Sequence, residues 1–146
     1  MGTYDLAISL EVAEHLTEKS GQRLVRLLTN LAPVVLFSAA IPGQGGKNHI
    51  NEQWQSYWVE LFAQEKYVCY DIFRGIFWNV KEISPWYRQN MFLFVSNSTR
   101  LDDAIEEIYS IPLNIIHPEI YGGFTRLVTT TDKELENELA RRNQRK

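Results

Sequence analysis

The sequence predicts an α/β fold, and three observations predict it. Strand-like and helix-like segments alternate as far as Val95, two apolar runs lack the polar alternation of a half-exposed strand, and a helix of clear periodicity joins those runs. The first run, Tyr4-Asp5-Leu6-Ala7-Ile8-Ser9-Leu10, leads into Glu11-Val12-Ala13-Glu14-His15-Leu16. Leu24, Val25, Leu27, Leu28 and Leu31 then recur at helical spacing, and Pro33 ends that helix before Val34-Val35-Leu36-Phe37-Ser38-Ala39. Such a strand, helix, strand unit reads as two parallel strands buried on both faces. A long loop runs from Ile41 to Ile50, and Asn51 is placed to cap a helix whose Trp54, Tyr57, Trp58, Leu61 and Phe62 form one apolar face. Tyr67 to Phe73 predicts a third strand, Arg74 to Gln89 an irregular aromatic segment, and Asn90 to Val95 a last strand.

The organisation changes after Ser96, so the chain divides into residues 1–96 and a tail of residues 97–146. In the tail, Leu101 to Tyr109 predicts a short helix and His117-Pro118-Glu119-Ile120-Tyr121 an extended turn, with His117 a structural histidine. Thr131 and Glu134 form a capping box for a terminal helix whose late Arg141, Arg142, Arg145 and Lys146 suit its dipole. With 45% hydrophobic and 23% charged residues and a formal net charge of -3, the composition points to neither a membrane nor a nucleic-acid backbone as partner. No run reaches the ~18 apolar residues of a spanning helix and no signal peptide opens the chain, so the cytoplasm is the default location. Cys69 is the only cysteine, which excludes a disulfide within the chain, and its apolar neighbours predict a buried, inert thiol.

The chemistry concentrates at Glu11-x-x-Glu14-His15. A helix beginning after Leu10 would put Glu11, Glu14 and His15 at i, i+3 and i+4, so that two oxygen donors and one nitrogen donor share a face. His49 follows the next strand, and neighbouring parallel strands bring their carboxyl-end loops together. Two carboxylates and two imidazoles suit a divalent cation, with imidazole leaning away from pure Mg²⁺ chemistry. A second reading stays open, in which the acidic turn holds no metal.

The apolar run and acidic turn resemble the fourth strand, and the turn after it, of Rossmann-like S-adenosylmethionine-dependent methyltransferases. The resemblance covers residues 1–96. It implies two parallel strands followed by an antiparallel pair at the sheet edge. The family's glycine-rich cofactor loop belongs to a first strand well upstream, so the resemblance implies the carboxyl half of such an enzyme, inactive as this chain alone. Ser9, Leu10, Glu11 and Val12 would border the methionine arm of the cofactor. The turn is similar to that of metal-dependent O-methyltransferases of ubiquinone biosynthesis and of small-RNA 2′-O-methyltransferases. This implies that Glu11, Glu14, His15 and His49 hold Mg²⁺ or Mn²⁺, which orients an acceptor hydroxyl of a small molecule or sugar. Glu11, His15 and His49 are then the candidates for catalytic base or metal ligand.

Gly43-Gln44-Gly45-Gly46 is not a phosphate loop, because Lys47 to Ile50 intervene before any helix opens. It reads better as an acceptor-side lid hinged at Gly45 and Gly46, which makes Asn48, His49, Asn51 and Trp54 candidate acceptor contacts beside their alternative role in capping and packing. The aromatics from Phe77 to Tyr87 could cover an acceptor pocket or build core. In the family sheet the fourth strand has a neighbour on each side, so Leu6 to Leu10 should present an apolar edge that recruits a partner chain or a second copy. Leaving ~400 Å² of apolar surface uncovered forgoes at most roughly 10 kcal/mol at about 25 cal/mol per Å². The competing function is therefore a non-catalytic interaction module that pairs with another methyltransferase chain.

Overall fold

A computed structural model describes residues 4–99 and 114–122. The helices expected at Leu101 to Tyr109 and after Thr131 lie outside the described residues. The strands are β1 (Ala7–Leu10), β2 (Val34–Ser38), β3 (Tyr67–Tyr70) and β4 (Phe92–Ser96); the helices are α1 (Glu18–Leu31), α2 (Gln55–Gln64), α3 (Ile72–Phe77) and α4 (Pro85–Asn90). They form an α/β domain with one four-stranded mixed sheet in the order β1-β2-β4-β3. β1 and β2 pair in parallel with Ala7 beside Val35, while β4 runs antiparallel to both β2 and β3. The last strand thus inserts between the second and the third.

Alternation of side chains sets the core on one face of this sheet. Val35, Phe37, Phe92, Phe94 and Tyr67 meet Val25 and Leu28 of α1 and Trp58 and Phe62 of α2. Phe62 is fully buried and stacks on Phe94 with ring centroids 3.8 Å apart. The Tyr67 hydroxyl lies 2.8 Å from Thr29 O and 2.7 Å from Ala32 O, tying β3 to the end of α1.

Several expectations are corrected. β1 is not buried on both faces: Ile8 is 58% exposed on the face away from the core, with Leu6 and Val12 also exposed. No α-helix begins after Leu10. Glu11 takes a left-handed φ of 52°, which a right-handed helix excludes, and only a short 3-10 turn, Ala13–His15, precedes α1. α1 starts instead where the Thr17 side chain accepts a bond from Ser20 N. Asn51 does not cap α2, since Trp54 occupies that position without a side-chain bond. The third strand stops at Tyr70, and α3 and α4 occupy much of the segment expected to be irregular. Cys69 is half-buried with its pKa raised, chiefly by burial, which keeps it a neutral thiol. Among the described residues no helix is long and apolar enough to cross a membrane.

Candidate metal centre and cleft

Parallel pairing of β1 and β2 brings their carboxyl-end loops together, and backbone bonds lock them there. Glu14 O accepts from Ile50 N at 2.9 Å and Asn51 N at 3.0 Å, and Asn51 Nδ2 donates to Ala13 O at 3.3 Å. The loop after β2 is thereby laid across the turn after β1. One result is a group of three: the ligand-capable atoms of Glu14, His15 and His49 lie within 4.8 Å of one another. Ligands of one cation with bonds of about 2.1 Å stand roughly 3.0–3.5 Å apart when adjacent and roughly 4.2 Å when opposite, so the group would close by up to about 1.5 Å to hold one.

The donor chemistry of this group fits a cation. Glu14 is fully buried and neither carboxylate oxygen has a hydrogen-bond partner. Its own amide and that of Ala40 favour the charge without reaching bonding geometry. Burial raises its pKa, opposed by the two imidazoles. His15 Nδ1 faces Asn48 O at 3.3 Å, and a carbonyl only accepts, so Nδ1 carries a proton and, in the neutral ring, Nε2 is the nitrogen that offers a lone pair. His49 Nδ1 lies 2.8 Å from Glu52 Oε1, which sets the same tautomer. The two rings meet edge to face at 4.8 Å. Asn48 adopts φ 63° to present its carbonyl. Gly46 has to be glycine, because a Cβ there would lie 2.3 Å from the His49 ring.

Glu11 stands outside this group of three. Its N–H donates to both Ser38 O and Ser38 Oγ, at 3.0 and 3.1 Å, and its left-handed backbone swings the carboxyl away from the helical face the spacing had implied. Burial first, and the Glu14 charge second, push its pKa up to about 7. Oε2 accepts from Gln44 Nε2 at 3.1 Å, whereas Oε1 is buried without a partner. Behind it runs a chain of amides. His117 N donates to Gln89 Oε1 at 2.6 Å, Gln89 Nε2 to Asn90 Oδ1 at 2.8 Å, and Asn90 Nδ2 to Gln44 Oε1 at 2.8 Å.

Glu11, Glu14, His15 and His49 line one cleft of about 480 Å³ together with Gln44, Gly45, Gly46, Pro85, Trp86, Glu119 and Ile120. Of the other expected acceptor contacts, Asn48 serves His15, Asn51 is buried as a backbone anchor, and Trp54 stands at the start of α2 outside the cleft lining. Trp86 lines the cleft, but Trp78 packs on His117 and Phe77 stacks on Phe73. His117 is structural as expected: Nδ1 accepts from Glu119 N and Nε2 donates to Trp78 O at 2.9 Å. Ser9 and Leu10 sit at the β1 end, where the buried Ser9 Oγ lacks a partner, and Val12 is exposed beside them.

Sequence reading missed Glu52, Gln89, Asn90 and the part played by Gln44. His49-x-x-Glu52 spacing was the one signal available, and polar residues buried within a helix terminus leave none. No protein-family model, no curated protein and no solved structure matches this chain.

Proposed function

We propose that the chain is the acceptor-side half of an S-adenosylmethionine-dependent O-methyltransferase assisted by a divalent cation. The observation that carries this reading is the Glu14 carboxylate, fully buried with both oxygens unpartnered beside two imidazoles whose Nδ1 positions are already occupied. Parallel β1 and β2 followed by an antiparallel pair agree with the same resemblance. One carboxylate and two imidazoles favour Mn²⁺ or Fe²⁺ over Mg²⁺. Glu14, His15 and His49 would hold the cation, which supplies Lewis-acid polarisation of an acceptor hydroxyl.

S-adenosylmethionine, when bound, supplies an electrophilic methyl group. Ser9 Oγ, a buried hydroxyl without a partner, suits the ammonium of its methionine arm, with Leu10 and Val12 beside it. No glycine-rich strand turn for its sugar stands among the described residues, so that end would be held by another part of the protein or another chain. Glu11 stands within the cleft as the group to receive the acceptor's proton. Among the described residues no lysine or arginine lines the cleft, while Pro85, Trp86 and Ile120 provide an apolar wall. An uncharged, hydroxyl-bearing acceptor suits that lining.

Calorimetric titration with Mn²⁺, then with S-adenosylhomocysteine in its presence and absence, tests the reading. Saturable Mn²⁺ uptake that Glu14→Gln weakens at least tenfold is expected; a folded chain that takes up no Mn²⁺ overturns it. A second reading, a non-catalytic module that pairs with another methyltransferase chain, is favoured by the exposed Leu6, Ile8 and Val12 along β1. A stable homodimer indifferent to both ligands would select it.

A further inference from the structure

The glycine turn after β2 has already been given its anion. Gly43 and Gly45 take left-handed φ values of 81° and 71°, which turn backbone N–H groups inward and build an anion-binding concavity. Glu52 fills it from within the chain: Oε2 accepts from Gly43 N at 2.7 Å and Oε1 from Gly45 N at 2.9 Å. The same Oε1 takes His49 Nδ1 at 2.8 Å. One carboxylate therefore sets the fold of the turn and the tautomer of the imidazole together, through short charge-assisted bonds.

We propose that Glu52 is the positioning residue of the cation site, holding His49 with Nε2 available and coupling cation capture to the order of the loop from Gly43 to His49; the coupling rests on the reading of Glu14, His15 and His49 as ligands. A metal on Nε2 withdraws electrons from the ring and makes Nδ1–H a stronger donor, which tightens the bond to Glu52 and through it the hold on Gly45. Gly45 and Gly46 line the cleft, so through that bond a cation on His49 would also shape the acceptor site. This also explains why the glycine turn cannot serve a phosphate.

The test uses the full chain as wild type, Glu52→Ala and Glu52→Gln, the last keeping the shape of the side chain in case the alanine variant unfolds. Long-range ¹H–¹⁵N spectra of the imidazoles without metal report the tautomer, and Mn²⁺ titration reports affinity. Wild type should show His49 protonated at Nδ1, with the preference lost in Glu52→Ala and weakened in Glu52→Gln. Mn²⁺ affinity should fall about 100-fold in the former and about tenfold in the latter. Amide exchange at Gly43 and Gly45 should slow on Mn²⁺ addition in wild type alone. An unchanged His49 tautomer in both variants overturns the role of Glu52 whatever the metal does. A wild type with the expected tautomer that takes up no Mn²⁺ overturns the cation reading and the coupling while leaving the positioning of His49 in place.

Discussion

The Glu11 carboxyl, pushed up to about 7 by burial and then by Glu14, makes the metal-free fold pH-sensitive. In the folded chain the proton stays bound above the pH at which an unfolded glutamate releases it, so the folded state is favoured at low pH. That advantage is complete below the ordinary value of 4.5 and is lost as pH rises through about 7. Its size is about 3 kcal/mol as an upper bound, because water screens a group at the rim of a cleft. Urea midpoints of the metal-free chain should fall between those limits, and Glu11→Gln should flatten the profile; an unchanged slope in that variant would refute the assignment. Gly46 gives a second prediction at this scale. Gly46→Ala places a methyl against the His49 ring at a φ of 156°, so Mn²⁺ affinity should drop at least tenfold while far-UV dichroism stays native, with about 1–3 kcal/mol of stability lost.

Among the elements, α2 shows what periodicity can and cannot reveal. Trp58 and Phe62, four apart, were legible as a buried stripe and are nearly or fully inaccessible. Phe62→Ala removes the ring stacked on Phe94 and should cost about 3–5 kcal/mol by chemical denaturation, whereas Leu27→Ala on the exposed side of α1 should change stability by less than about 0.5 kcal/mol. The helix start was misread because Asn51 is as good a cap by type as any, yet its Oδ1 accepts from Gln53 Nε2 and its Nδ2 is drawn to Ala13 O, the second a contact no local window contains. His49 was placed correctly from strand direction alone. Glu11 was not, since a left-handed glutamate follows from the bond to Ser38 rather than from its neighbours in sequence. The chain alternation was legible to within a few residues, but the insertion of β4 between β2 and β3 is a long-range choice.

At the level of the molecule, the face of the sheet opposite α1 and α2 carries Ile8 largely exposed and Leu36 and Leu93 only half-buried, next to the edge of β1, which pairs with no further strand among the described residues. An edge of that character promotes association. Sedimentation of the purified chain should show concentration-dependent self-association that Ile8→Glu suppresses with a stability change within about 0.5 kcal/mol; identical behaviour of the two would count against the edge. The amide chain from His117 to Glu11 reaches further than any of these contacts. Every donor along it faces the same way, toward the carboxylate, so the docking of residues 114–122 stabilises the ionised form of a side chain more than a hundred positions earlier. Linkage runs in both directions. Whatever neutralises Glu11 slackens the hold on Ile120 at the far wall, so proton uptake on one side of the cleft is felt as loosening on the other, and the cleft behaves as a single two-sided balance.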